Sequence, residues 1–140
     1  MKFTIAVSTR LSSAIGYEEK RDSISRDWIK LFNSLSINNY IILPNMEANM
    51  IDEYCDYHCI SGFLLTGGDI VGKDITRDKV EFAALNFAKD KSLKVLGVCR
   101  GMQIIAHYFG VSLEKVDGCI SPSINYMANQ ESRYFEYLKG

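Results

Sequence analysis

Two prolines and two histidines are all that this 140-residue chain contains of either. Pro44 and Pro122 lie far apart, and neither a linker, a low-complexity tract nor an internal repeat divides the sequence. No apolar run approaches the ~20 residues that a bilayer-spanning helix requires. The start, MKFTIAVSTR, has too short an apolar stretch for a secretory signal and lacks a small-residue cleavage site. An excess of one charge is missing too. At a net charge of −1 there is no electrostatic reason to expect a nucleic-acid or membrane-surface partner. Four cysteines (55, 59, 99 and 119) without a signal read as thiols of a reducing compartment, not as a disulfide framework. A cytoplasmic protein is expected.

What is present suffices for one domain. The chain is 47% apolar and 24% charged, and a chain of this length buries roughly two thirds of its unfolded surface. Phe3 to Ser8 is short and β-prone. After a polar loop, Ile24 to Leu35 carries Ile24, Trp28, Leu31, Phe32 and Leu35 at helical spacing. Tyr40 to Leu43 reads as a second strand, stopped by Pro44-Asn45, and Ala48 to Asp56 as a short helix. Gly62 to Thr66 is a third strand, ending at Gly67-Gly68. Thr76 is the expected N-cap of a helix with Asp78 and Glu81 in its first turn and Val80, Ala84, Phe87 and Ala88 on its apolar face. Lys94 to Val98 is a fourth strand, and Met102 to Phe109 a helix that Gly110 ends. Trp28, Phe32 and Tyr40 are candidate core residues.

Short apolar strands alternating with helices predict βαβ units: a mostly parallel sheet covered on both faces. Ligands of such folds bind outside the carboxyl ends of the strands, where both Thr66-Gly67-Gly68 and Cys99 fall. Gly97-Val98-Cys99-Arg100-Gly101 has the pattern of a nucleophile elbow, with glycine two residues to either side because the strand-to-helix turn is crowded. The turn would present the sulfur at the amino end of a helix, whose free N–H groups favour a thiolate. The Arg100 side chain adds positive charge if it points that way. Attack on a carbonyl also needs donors for the oxyanion: the backbone N–H of Arg100 is one, and the Thr66–Asp69 loop offers another. The competing reading is an inert buried cysteine beside an ordinary glycine turn; the strand before, the helix after and the second glycine loop favour the reactive site.

LTGGD, RDKVE and VLGVCRGMQ, with the earlier RDSISRDWIKLF and LPN, resemble the class I glutamine amidotransferase-like superfamily, and within it the γ-glutamyl hydrolase branch (peptidase C26). The resemblance runs from about Lys2 to about Gly118. It implies a flavodoxin-like α/β fold, incomplete at its carboxyl end, with an amidotransferase-like part over residues 1–118 and a divergent or truncated tail over 119–140. The activity it implies is cleavage of a γ-glutamyl amide through a thioester by a Cys-His-Glu triad. Cys99 matches the nucleophile, Gly68 and the Arg100 backbone the oxyanion donors, and Gln103 a residue holding the glutamyl group. Gly67 and Arg10, which follow the third and first strands, are further candidates for substrate contact; an ion pair is the alternative for Arg10. Arg77, Asp78 and Glu81 match a recurrent motif of the family, read here as a helix start with a surface ion pair. A small γ-glutamyl substrate is implied, with no cofactor, no metal, no nucleic acid and no membrane. Self-assembly and a synthetase partner both remain open.

The triad's base is the difficulty. His107 lies eight residues beyond Cys99 on one helix, about 12 Å along its axis. His58 precedes the third strand, at the rim opposite Cys99. No histidine follows His107, and Glu131 and Glu136 in the tail have none to orient. The expected chain therefore carries a nucleophile and an oxyanion hole without a base, and its sheet is expected to be left partly open, causing low solubility or self-association. Cys55, His58 and Cys59, even with Cys119, fit no standard zinc spacing and read as a short helix with two half-buried thiols. Three functions compete: a γ-glutamyl amide hydrolase, a glutaminase subunit feeding ammonia to a synthetase, and a non-catalytic binder of γ-glutamyl ligands. A redox-sensing thiol is a weaker variant.

Overall fold

Four strands pair in parallel in the computed structural model, which describes residues 3–114. They are β1 (Thr4–Ser8), β4 (Tyr40–Leu43), β5 (Ile60–Leu65) and β6 (Lys94–Gly97), in the order β4-β1-β5-β6. Counted among the parallel strands alone this is 2-1-3-4, the flavodoxin-like order. The registers Val7↔Ile42, Val7↔Leu64 and Leu65↔Gly97 bring the carboxyl ends of the strands to one rim.

Central strands are buried on both faces, hence the unbroken runs in β1 and β5 rather than an apolar–polar alternation. Ala6, Phe63 and Leu65 face one layer, packed with Ile51 and Cys55 of α2 (Ile51–Tyr57), Val80 and Ala84 of α3 (Ile75–Asp90) and Ile104 of α4 (Arg100–Tyr108). Val7 and Leu64 face the other, packed with Phe32 of α1 (Arg26–Ser34). Ser25 caps α1 by accepting the Asp27 N–H at 3.3 Å, and the Phe32 ring tilts against Tyr40 at 4.7 Å. Phe32 is fully buried, whereas Trp28 and Tyr40 are half-buried.

Three sequence expectations need correction. The polar loop after β1 contains an antiparallel hairpin, β2 (Arg10–Ser13) with β3 (Lys20–Ser23). Its residues are nearly all polar and solvated, so no alternation announced it; Asp22 anchors it by accepting the Asn45 backbone N–H at 2.8 Å and its side-chain amide at 2.6 Å. The cap of α3 is Asp74, not Thr76, its carboxylate accepting the Arg77 N–H at 3.2 Å. The thiols at 55 and 59 are not alike. Cys55 is sealed in the core, where burial, reinforced by Asp52 and Asp56, pushes its thiol up to about 12; Cys59 is exposed. The tail over 119–140, Cys119 included, lies outside the described residues.

Only α1 covers its face of the sheet among the described residues. Beside it an apolar groove of about 240 Å³ runs between Phe3, Leu35, Leu64 and Leu96, and among the described residues β6 pairs on one side alone. The 140-residue chain is expected to self-associate at micromolar concentration, and Leu96→Lys, which puts a charge on the 62%-exposed Leu96 position, to shift it towards monomer. Sedimentation velocity checks this; a monodisperse wild-type monomer contradicts it.

Candidate active site

The strand-to-helix turn at the end of β6 has the strain its sequence implies. Cys99 adopts φ 54° and ψ −111°. Among the described residues three other non-glycine residues have positive φ: Ser36, Cys59 and Ser92. Each of these directly follows a helix C-cap (Leu35, His58 and Lys91), where a left-handed residue is the ordinary way to finish. Cys99 instead precedes a helix, and its ψ is far from the left-handed minimum. Backbone held this way costs of order 1–3 kcal/mol and persists only where the surroundings over-determine it.

Those surroundings are glycine. A side-chain carbon on Gly97 would come within 2.6 Å of Ile105 Cδ1 and closer still to the Gly101 carbonyl. One on Gly101 would come within 2.6 Å of the Leu65 carbonyl carbon and closer to its oxygen. The strand, the turn and α4 therefore pack backbone to backbone. Val98 N–H donates to Leu65 O at 2.9 Å and Gly101 N–H to Val98 O at 2.9 Å, which close the turn. Cys99 is left exposed at the rim, capping α4.

The glycine loop after β5 stands at the same rim. A side-chain carbon on Gly67 would lie 3.5 Å from Cys99 Cβ, so the two loops touch. Thr66 fixes the loop's root: its N–H donates to Ser8 Oγ at 3.0 Å and its hydroxyl to Ser8 O at 2.9 Å. Gly68 has φ +146°, and a side chain there would meet Arg77 Nη1 at 2.5 Å. Neither the Gly68 nor the Arg100 backbone N–H is spent on an internal acceptor among the described residues. Gln103 follows one turn after Cys99 on α4, half-buried, its N–H donating to Cys99 O at 3.2 Å. Arg10 is exposed at the start of β2, between a recess of about 230 Å³ bounded by Ser23, Ser25, Gly67 and Val98 and a polar one of about 480 Å³ bounded by Gly68, Asp69 and Asp74.

The Arg100 side chain does not point to the sulfur. Its guanidinium turns away from solvent to pair with Glu81 and Asp78, so its charge is compensated inside the protein. Nor do Arg77, Asp78 and Glu81 form a surface pair. Arg77 and Glu81 are 2% and 0% exposed, and Arg77 Nε donates to Glu81 Oε1 at 2.9 Å. Burial pushes the Arg77 guanidinium down from its ordinary value, while the Glu81 carboxylate pulls it back up. Arg77 also donates to Thr66 O at 2.9 Å, Thr66 Oγ1 at 3.2 Å and Gly67 O at 3.2 Å. Sequence reasoning recognised the motif and missed its place beneath the glycine loop.

The histidines stand where their positions in the chain put them. His58 caps the end of α2 against the Tyr54 and Tyr57 rings, before β5 begins. His107 is in the last turn of α4, the end opposite Cys99. Among the described residues no three His, Cys, Asp or Glu side chains are grouped to hold a metal ion, and no helix is long and apolar enough to cross a membrane.

The sequence profile of the peptidase C26 family matches residues 5–137. The chain belongs to that family. With it comes membership of the class I glutamine amidotransferase-like proteins. The γ-glutamyl-CDP-amidate hydrolase of Campylobacter jejuni is 32% identical over 135 residues, covering 91% of this chain and 62% of that protein. A Schizosaccharomyces pombe protein provisionally named a glutamine amidotransferase is 32% identical over 95 residues, 56% of this chain and 36% of its own. A Lactococcus lactis subsp. cremoris glutamine amidotransferase-like protein, the YvdE homolog, is 28% identical over 116 residues, 73% and 60% of the two chains. The C26 chain described here thus spans less than two thirds of the length of these relatives.

Proposed function

We propose that Cys99 is the nucleophile of a γ-glutamyl amide hydrolase, with the backbone N–H groups of Gly68 and Arg100 as its oxyanion donors. The observation that carries this is the strained, exposed Cys99 in contact with the glycine loop. The thiolate adds to the γ-carbonyl and the developing oxyanion takes the two N–H groups. The C–N bond then breaks as the leaving nitrogen takes a proton from solvent water, and the glutamyl group remains on sulfur as a thioester that water hydrolyses to glutamate, freeing the thiol. Gln103 and Gly67 hold the glutamyl portion in this reading. Arg10, with the Ser23 and Ser25 hydroxyls around its recess, favours an anionic leaving group, in keeping with the name of the C. jejuni relative. A reducing, cytoplasmic setting would keep the thiol free.

Neither histidine reaches the sulfur, so this 140-residue chain is expected to acylate and to turn over poorly. An activated γ-glutamyl p-nitrophenyl ester tests the first half alone, because p-nitrophenolate leaves without a proton. The wild-type chain should release a burst of about one equivalent and gain one glutamyl group on Cys99 by mass; Cys99→Ala should show neither. Equal bursts from the two would sink the assignment. Steady release of glutamate from γ-glutamyl amides, at the 1–10³ s⁻¹ usual for enzymes, would show instead that a base is at hand. The misplaced histidines specifically favour a second reading, a binder that keeps the pocket without turnover. It predicts stabilisation by a γ-glutamyl amide with no glutamyl adduct on Cys99.

A further inference from the structure

The hydrolase reading places two oxyanion donors on two different elements, and something must hold them in register. Gly68 belongs to the loop after β5; Arg100 opens α4 after β6. Both lie beside a buried cluster of two arginines and two carboxylates that the chemistry itself does not use.

The cluster is connected atom by atom. Glu81 spends both carboxylate oxygens, accepting Arg77 Nε at 2.9 Å on Oε1 and the Arg100 guanidinium on Oε2. Arg100 also pairs with Asp78, whose other oxygen accepts the Gly72 N–H at 2.7 Å. Arg77 reaches out of the cluster to the carbonyls of Thr66 and Gly67. A trans peptide directs its C=O and N–H oppositely. With the Thr66 and Gly67 carbonyls drawn to the guanidinium, the N–H groups of Gly67 and Gly68 must point away from it. The side chain of Arg77 thereby sets the aim of the Gly68 donor. Through Glu81 the same guanidinium is tied to Arg100, whose backbone carries the second donor.

We propose that Arg77 is a positioning residue for the oxyanion hole: it orients the Gly67–Gly68 peptide and, through Glu81, fixes it relative to the elbow. The inference rests on the hydrolase reading and deepens it. A merely structural ion cluster has no need of the loop carbonyls. Lysine is no substitute, because one ammonium cannot reproduce the planar fork that serves Glu81, Thr66 and Gly67 together.

The test compares two rates at Cys99 in wild type and Arg77→Lys. The ester burst passes through an oxyanion; alkylation by iodoacetamide, a displacement at carbon, does not. Arg77→Lys is expected to slow the burst at saturating ester by about 30-fold or more, towards the ~10²–10³ cost of losing one donor. Iodoacetamide alkylation should stay within about threefold, with its pH profile unmoved. A burst slowed less than threefold overturns the proposal. So does a parallel fall in both rates, which would mean the thiol itself had been disturbed. A wild-type chain that gives no burst at all fails the hydrolase reading instead, and the two failures are thus distinct. Should Arg77→Lys not unfold cooperatively, Glu81→Gln stands in for it: it keeps the shape but has one acceptor oxygen for the two guanidiniums that Glu81 joins; the ratio of burst to alkylation should fall about three- to tenfold, and an unchanged ratio is equally fatal.

Discussion

A Glu81→Ala chain is expected to lose about 3–5 kcal/mol of stability, the range for removing one partner from a buried charge network. Domains of this size have ~5–15 kcal/mol in all, so the variant should stand near its unfolding threshold at room temperature. Deleting Glu81 leaves Arg77 and Arg100, 2% and 1% exposed, with one hydrogen-bonded carboxylate, Asp78, between them. Asp78 bonds Arg100 and the Gly72 N–H, so the Arg77 guanidinium loses its carboxylate hydrogen bond and keeps only the nearby charge of Asp74. Glu81→Gln keeps the shape and an acceptor and should lose less. The exposed Lys30–Asp27 pair, also at 2.9 Å, sets the contrast: there water solvates whatever is unpaired, and Asp27→Ala should hardly move the midpoint. Urea unfolding measures each. A loss below about 1 kcal/mol for Glu81→Ala would mean that water reaches the cluster.

The same energetics bears on why such a cluster exists. Desolvating four charges is costly, and apolar side chains of similar volume commonly serve stability as well or better. What apolar side chains could not do is bind the Thr66 and Gly67 carbonyls. That makes the network easier to understand as geometry for the rim than as a source of stability.

Much of this was legible in the chain. The four strands were readable as short apolar runs; for β1 and β5 the cause is that central parallel strands must be apolar on both faces, and GFLL has no other easy placement. Cys99 was readable because glycine two residues to either side has a steric cause, which the close approach of Gly101 to Leu65 bears out. The β2–β3 hairpin was not readable: it is held by Asp22 on Asn45, a contact between residues 23 apart, and not by burial. The burial of Arg77 and Glu81 was missed although a signal existed. In the helical order 77, 81, 84, 88 the two charges continue the stripe that Ala84 and Ala88 occupy against the sheet. Charges in line with an apolar stripe are either an error of phase or a buried pair. The partner that decides between them, Arg100, lies 19 residues from Glu81. Only the fold brings it there.

Gly101→Ala is the second large effect, and its sign runs against helix propensity. Inside an exposed helix alanine is worth ~1 kcal/mol over glycine, so a reading of α4 alone predicts stabilisation. At this position the new carbon would stand within 2.6 Å of the Leu65 carbonyl carbon and nearer to its oxygen. That oxygen accepts the Val98 N–H at 2.9 Å, so the strand cannot simply retreat without breaking the turn. Helix α4 must lift from β5 instead, and its first residue carries both the proposed oxyanion donor and the side chain bound to Glu81 and Asp78. Overpacking of this kind costs ~1–3 kcal/mol, and the displacement should abolish the ester burst even where the chain still folds. Urea unfolding and burst amplitude read the two consequences separately. A Gly101→Ala chain as stable as wild type, with its burst intact, would show that α4 does not meet the sheet backbone to backbone, and the elbow geometry on which Cys99 depends would be lost with it.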